Sequence, residues 1–215
     1  MTRCIVVLSG GPDSVTAAYW AKSRGYDIYA LTFDYGQKAR IEIERAVETA
    51  SLLGASHKVV DLSKLADIYR GVTSLVDEGI EVTPEFTDEI VVPFRNGVFL
   101  SVAVAYADSV GADVILYGAH ASDEPFYPDC RPEFYKAFES AARLGTGREI
   151  RLTSPFEGVP KSGVIREAVR LGVPLERTWS CYLRGPVHCG VCESCRNRKR
   201  AFREAGVEDS TEYLE

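Results

Sequence analysis

The stretch Cys4-Ile-Val-Val-Leu-Ser-Gly-Gly-Pro-Asp-Ser14 decides the fold. Its first half, Cys4 to Leu8, is continuous, apolar and rich in β-branched residues, the pattern of a parallel strand covered on both faces. Its second half is a turn with two glycines, which let the backbone approach an anion closely. A helix entered there points its first amides, and the favourable end of its dipole, at that anion. The Walker pattern G-x-x-x-x-G-K-[ST] with its phosphate-binding lysine is absent, and so is a G-x-G-x-x-G dinucleotide turn. A tight Gly/Ser turn without a ligand is the bland alternative.

Outward from this stretch, Val15, Ala18, Tyr19 and Lys22 predict a helix stopped by Gly25. Ile28 to Phe33 reads as a second strand, and Ala39, Ile43, Ala46, Val47, Ala50 and Leu53 recur at helical spacing up to Gly54. His57 to Leu62 is a third strand. This alternation predicts βαβ units and a parallel sheet with helices on both faces, an α/β Rossmann-like doubly wound fold. Residues 63–95, interrupted by Pro84 and Pro93, read as an insertion or lid. Phe99, Val102, Ala103, Tyr106 and Val110 then mark a helix capped by Asn96, followed by a strand from Asp113 to Gly118 and a polar loop from Ala119 to Arg131. A helix over Phe134, Phe138 and Ala141, a short strand near Glu149 to Thr153, and a helix with Val164, Ile165, Ala168 and Leu171 ending at Gly172 complete the sheet domain. The division expected is 1–177 for that domain and 178–215 for a small C-terminal segment.

The chain has 215 residues, 46% apolar and 26% charged, with a net charge of −6. That balance fits one globular domain with a small appendage and excludes disorder. The longest apolar stretch, Val98 to Ala107, is broken by Ser101 and falls short of the ~18 to 20 residues that cross hydrocarbon. Cys4 to Leu8 is too short for a signal-peptide core. The expected setting is cytoplasmic, with no membrane partner. The acidic balance argues against a general nucleic-acid binder, and no stable nucleic-acid complex is expected.

Cys181, Cys189, Cys192 and Cys195 follow the spacing C-x7-C-x2-C-x2-C, which lets four thiolates converge on one tetrahedral zinc ion. Four protein ligands leave no open position, so the expected metal is structural. An iron–sulfur cluster uses the same ligands and ranks second. His188 is a replacement ligand of lower rank, and Cys4 reads as a small buried hydrophobe. The run from Arg196 to Arg200, with Arg203, reads as a solvated basic helix face beside the thiolates, ahead of a nucleic-acid patch.

The hexapeptide Ser9-Gly-Gly-Pro-Asp-Ser14 resembles the S-G-G-x-D-S loop of the PP-loop ATP pyrophosphatases, which cleave ATP between its α and β phosphates. Along the whole chain, the residues resemble the 7-cyano-7-deazaguanine synthase (preQ0 synthase) family. The resemblance rests on Leu8 to Ser14, Asp34-Tyr-Gly-Gln37, Val92-Pro-Phe-Arg-Asn96, Gly118 to His120, Tyr127-Pro-Asp-Cys-Arg-Pro-Glu-Phe134, Thr178-Trp-Ser-Cys-Tyr182 and the final Cys-Gly-x-Cys-x-x-Cys. Pro12 fills the variable loop position, and Lys161-Ser-Gly lacks an acidic residue expected soon after the lysine. The resemblance implies an ATP-dependent ligase that takes 7-carboxy-7-deazaguanine and ammonia to the nitrile, releasing two AMP and two diphosphate, in deazapurine tRNA nucleoside biosynthesis toward queuosine or archaeosine. It implies a homodimer, one structural Zn²⁺ per chain and Mg²⁺ with ATP.

By the same resemblance, the ATP site comprises Leu8, Ser9, Gly10, Gly11, Pro12, Asp13, Ser14 and Val15, with adenine and ribose near Thr32, Phe33 and Tyr35. Phe33 fits core packing equally well. Asp13, Ser14, Arg95 and Lys161 are the catalytic candidates. Ligands in open parallel sheets bind outside the carboxyl ends of strands, which makes Arg95, His120, Asp123, Tyr127, Asp129 and Arg131 the substrate candidates: a carboxylate for the guanine-like N–H donors, Tyr127 or Phe126 for stacking, Arg95 for phosphate or substrate carboxylate. Loop scaffolding and surface ion pairs are the plain alternatives. Two rival functions are a PP-loop tRNA-thiolating enzyme and a non-catalytic zinc module binding RNA with the sheet domain as nucleotide sensor.

Overall fold

The computed structural model describes residues 1–214. Strand β1 (Arg3–Val7) leads into helix α1 (Pro12–Ser23), then β2 (Asp27–Asp34), α2 (Ile41–Leu53) and β3 (Ser56–Asp61). A short helix α3 (Ala66–Tyr69) and a long irregular stretch precede α4 (Arg95–Val110), β4 (Val114–Leu116), α5 (Pro132–Thr146), β5 (Arg151–Thr153), α6 (Lys161–Arg170) and α7 (Glu193–Ala205). The five strands are all parallel in the order β3-β2-β1-β4-β5. The chain steps outward from β1 to β3 and returns to β4 on the other side, so the order reverses between β1 and β4. At such a reversal the loops leaving two adjacent strands diverge and open a crevice.

Because side chains alternate along a strand, β1 feeds two cores. Cys4, Val6 and Leu8 pack with Val15 and Ala18 of α1, Ala46 of α2, Ile165 of α6 and Phe202 of α7. Ile5 faces the other way, into Leu31, Phe99 and Leu100 of α4 and Tyr135 of α5. Both faces of the sheet are thus covered, as the unbroken apolar run requires. Ile5 has no exposed surface, so its truncation to Ala costs roughly 2 to 5 kcal/mol.

Several local expectations differ from the structure. Lys22 is exposed and reaches across to the carbonyl of Leu53 (2.9 Å), where it satisfies the end of α2. Asn96 is not the cap of α4. The helix begins at Arg95 behind Phe94, which adopts a left-handed φ of 54°. The carboxylate of Asp129 accepts the Asn96 N–H (3.0 Å) instead, while the Asn96 amide donates to Cys130 Sγ (3.3 Å). The segment 63–95 is docked: Tyr69, Leu75 and Val92 are buried in the second core, Ile90 is buried as well, and Thr73 and Ser74 bond to the carbonyl of Glu89. The 23-residue run Asp88–Val110 matches a membrane span in length and composition, beyond the shorter run read from the sequence. In the fold, α4 within it buries Phe99, Leu100, Ala103 and Ala107 against the sheet.

Candidate active site

The loop after β1 leaves the first amides of α1, those of Asp13 and Ser14, without a side-chain cap. Its two serines stitch it together: Ser14 Oγ accepts from the Ser9 N–H (3.1 Å), donates to the Gly11 carbonyl (3.1 Å) and lies 3.0 Å from Ser9 Oγ. Gly11 caps α1 with no side-chain bond, and Pro12 occupies the first turn, where its missing N–H costs nothing. Two glycines are obligatory here. Gly10 has φ +84°, and a Cβ on it would stand 2.2 Å from the carbonyl oxygen of Glu42. Gly118, after β4, passes so close to the start of α1 that a Cβ would lie 2.8 Å from Ser14 N. The phosphate-type loop and the β4 exit are thereby pressed together at the sheet's reversal point.

A cleft of 690 Å³ opens above them, a size typical of small-molecule sites. At its floor Lys161 pairs with Asp13 (2.8 Å). Burial opposes the Asp13 charge, but Lys161 and His120 outweigh it and hold the carboxyl well below the usual carboxylate range. Burial likewise opposes the Lys161 charge, and Asp13 and Asp123 more than offset it, so the ammonium pKa is raised. The His120 side chain is fully buried, with Nε2 3.5 Å from Asp13 Oδ1 and 3.4 Å from Asp123 Oδ2. Neither ring nitrogen of His120, nor Asp13 Oδ1, has a hydrogen-bond partner among the described residues. Buried orphans of this kind are costly, and their clustering beside open helix amides marks a place for a polar ligand. Further along, Arg95 donates to the Tyr35 hydroxyl (3.2 Å) and lies over the rings of Tyr35 and Phe99. Burial pushes Glu42 up to about 7, against Arg95 and the Gln37 amide, and pushes the Tyr35 hydroxyl up to about 12.

The Sγ atoms of Cys181, Cys189, Cys192 and Cys195 all lie within 4.8 Å of one another. A tetrahedral ion with bonds of about 2.3 Å sets its sulfurs roughly 3.8 Å apart, and Cys189 Sγ and Cys195 Sγ stand at 3.9 Å. Backbone N–H groups of Leu183, Cys189 and Cys192 point at sulfurs of the set, as they do toward thiolates. The cluster fits a metal ion. His188 is outside it: its Nε2 accepts the Ser180 N–H (3.0 Å), its ring packs at a tilt against Trp179, and burial with Arg198 lowers its pKa to about 4. The segment touches the loop directly, since the Trp179 N–H donates to the Gly10 carbonyl (2.9 Å).

The family model described as Queuosine biosynthesis protein QueC matches residues 3–206. The chain belongs to the QueC family. A 7-cyano-7-deazaguanine synthase of Caldicellulosiruptor bescii is 43% identical over 217 residues, covering 98% of this chain and 97% of its own. One of Methanoculleus marisnigri is 44% identical over 222 residues, covering 99% of each. Among solved structures, the NMN synthetase from Francisella tularensis shares the fold at a TM-score of 0.52 and 18% identity, with 97% of this chain and 79% of that one covered.

In this QueC-family chain, the cleft is lined by Leu8, Ser9, Gly11, Pro12, Asp13, Ser14, Thr32, Phe33, Tyr35, Arg95, His120, Asp123, Tyr127 and Lys161. Gly10 stands behind the loop, and Val15 points into the first core. Thr32 uses its hydroxyl to bond the Leu8 carbonyl (2.7 Å), and Phe33 stacks on Phe99 at 4.2 Å. Asp129 is spent on α4, and Arg131 is exposed and donates to the Glu124 carbonyl. The basic run is no uniform solvated face: Arg198 is completely buried, while Arg196 and Arg200 reach the cleft. Sequence reading missed Phe86, Tyr182 and Glu193, which also line it. The first comes from a segment without periodicity, and the others were absorbed into the metal motif.

Proposed function

We propose that the chain is an ATP-dependent ligase that converts 7-carboxy-7-deazaguanine and ammonia to 7-cyano-7-deazaguanine, with two AMP and two diphosphate released. The observation that carries this reading is the open-amide loop at the sheet's reversal point, joined to the Asp13–Lys161 pair in a cleft large enough for nucleotide and acceptor. A carboxylate cannot expel oxide, so its oxygen attacks the α-phosphorus, the bond to the β-phosphate oxygen breaks, and diphosphate leaves. Ammonia then attacks the acyl carbon, AMP departs with the substrate's oxygen, and protons are lost to give the amide. The amide oxygen repeats the attack with loss of a second diphosphate, the nitrogen gives up one proton to leave an adenylated imidate, and departure of the second AMP with the remaining N–H proton forms the C≡N bond.

Loop amides, with Ser9 and Ser14, take the β and γ phosphates, and Lys161 meets the charge developing on diphosphate. Arg95 offers a planar fork to phosphate or substrate carboxylate, and His120, Asp123 and Tyr127 face the acceptor. Adenine lies along Thr32, Phe33 and Tyr35. Mg²⁺ is a hard cation suited to oxygen ligands, and the free, buried Asp13 Oδ1 fits a role beside it; when bound it neutralises phosphate charge. The four-cysteine site takes Zn²⁺ as a structural ion. We place the enzyme in the cytoplasm as a homodimer in which residues 178–215 form a metal-bearing segment on the nucleotide-binding domain.

The test is an assay of AMP and diphosphate release with 7-carboxy-7-deazaguanine, with and without ammonia. Carboxylate-dependent AMP and ammonia-dependent nitrile support the reading. ADP and phosphate as the only nucleotide products refute it.

A further inference from the structure

A deazaguanine ring presents two adjacent donors on one edge, N1–H and the 2-amino group, and the group best suited to both is a carboxylate whose two oxygens each have an open lone pair. Among the described residues, six carboxylates line the cleft: Asp13, Glu42, Glu85, Asp123, Glu193 and Glu204. Asp13 is bound to Lys161, and Asp123 faces buried His120. Glu42 accepts from the Gln37 amide (2.9 Å) beside Arg95. Glu85 and Glu204 are exposed.

Glu193 differs. It opens α7 directly after Cys192, so the metal cluster fixes its backbone. Its Oε1 accepts from the Asn197 amide and its Oε2 from the Tyr182 hydroxyl (3.3 Å). Each oxygen therefore has one protein donor and room for one more. Tyr182 in turn lines the cleft together with Tyr127. Tyr127 belongs to an aromatic group with Phe86 and Phe126, ring centroids 5.9 and 4.7 Å from Phe86. Flat rings next to a fixed two-oxygen acceptor are what a planar base with paired donors needs.

We propose that Glu193 is the specificity-determining residue that accepts the N1–H and 2-amino donors of the acceptor's deazaguanine ring, positioned for this by the adjacent metal cluster. The assignment rests on the function proposed above. It gives the C-terminal segment a second task, since the same metal that holds the segment together aims a carboxylate into the cleft.

The experiment compares the wild type, Glu193→Gln and Glu193→Ala on 7-carboxy-7-deazaguanine and on the analogue without the 2-amino group. It reads kcat and KM for each carboxylate, KM for ATP, and zinc per chain. The wild type is expected to prefer the guanine-type substrate by about 100-fold or more in kcat/KM, because a site built for an N–H donor rejects the analogue that lacks it. In Glu193→Gln, an amide N–H₂ meets one of the substrate's donors. Its KM for 7-carboxy-7-deazaguanine is expected to rise about tenfold or more and its preference to fall below about tenfold, with KM for ATP and zinc content unchanged. Glu193→Ala should behave alike, and if it alone loses zinc, Glu193→Gln decides. Wild-type KM and preference in Glu193→Gln overturn the assignment, and so does loss of zinc from both variants. A wild type that releases no AMP from either carboxylate refutes the proposed function, a result distinct from either of these.

Discussion

Arg198→Leu tests how the C-terminal segment is held. Arg198 has no exposed surface, and all three nitrogens of its guanidinium are bonded: Nε to Asp209 (3.2 Å), Nη1 to Thr178 Oγ1 (2.8 Å) and Ser180 Oγ (3.3 Å), Nη2 to the Leu175 carbonyl (2.8 Å). Leucine keeps the apolar stem but leaves Asp209, 11% exposed, with only Tyr213 and Thr211 as donors among these contacts. Removing one partner of a buried ion pair costs about 3 to 5 kcal/mol. For a chain of this length that corresponds to a fall in Tm of roughly 6 to 20 °C. The pH dependence has a definite sign. Burial opposes the Asp209 charge, but Arg198 and the hydrogen bonds prevail and lower its pKa. The stabilisation is therefore fully present above the unfolded value of about 3.9 and is lost as pH falls through the folded one. Differential scanning calorimetry at pH 7 and below about pH 3, with zinc release followed by a chromogenic chelator, reads the effect. The gap between wild type and variant should be large at pH 7 and narrow on acidification, and Arg198→Leu/Asp209→Leu should recover part of the loss. A variant melting within about 2 °C of the wild type at pH 7 refutes the reasoning, since each kcal/mol is worth about that much or more.

Three other perturbations have defined outcomes. Lys161→Met should cut AMP formation by roughly 10² to 10³ and, because it unpairs the largely buried Asp13, also lower Tm. With the main counter-charge to burial removed, the Asp13 pKa rises, so the acid limb of the pH–rate profile should move toward neutrality; a profile with an unmoved acid limb contradicts this. Gly10→Ala puts a Cβ against the Glu42 carbonyl at positive φ. It should lower stability by about 1 to 2 kcal/mol or more and weaken ATP binding by calorimetric titration, and wild-type affinity would count against the loop geometry. Cys192→Ser should lose bound metal and, through the Trp179–Gly10 hydrogen bond, raise KM for ATP; retained zinc and stability would undo the structural-metal role.

What was legible in the sequence was local. Cys4 to Leu8 declared a doubly covered strand because its environment is uniform, and the Gly/Ser turn after it needs no distant partner to be understood. The four-cysteine cluster was readable because its members lie within 15 residues of chain. Asn96 misled because an Asp129 carboxylate, 33 residues away, took over the capping. The basic run misled because burial of Arg198 depends on Asp209, Thr178 and Leu175 converging from separate turns. Glu193 and Tyr182 stood next to metal ligands and carried no periodic signal of their own. Phe86 enters the cleft only because the segment 63–95 docks on the second core.

The central claim is that this loop presents the triphosphate so that an oxygen of the acceptor captures adenylate. Turnover of 7-carboxy-7-deazaguanine labelled with ¹⁸O in both carboxylate positions, with mass analysis of the products, tests it directly. The account predicts two AMP per nitrile, each carrying one ¹⁸O, and unlabelled diphosphate. Label in diphosphate or in water, with unlabelled AMP, would contradict it.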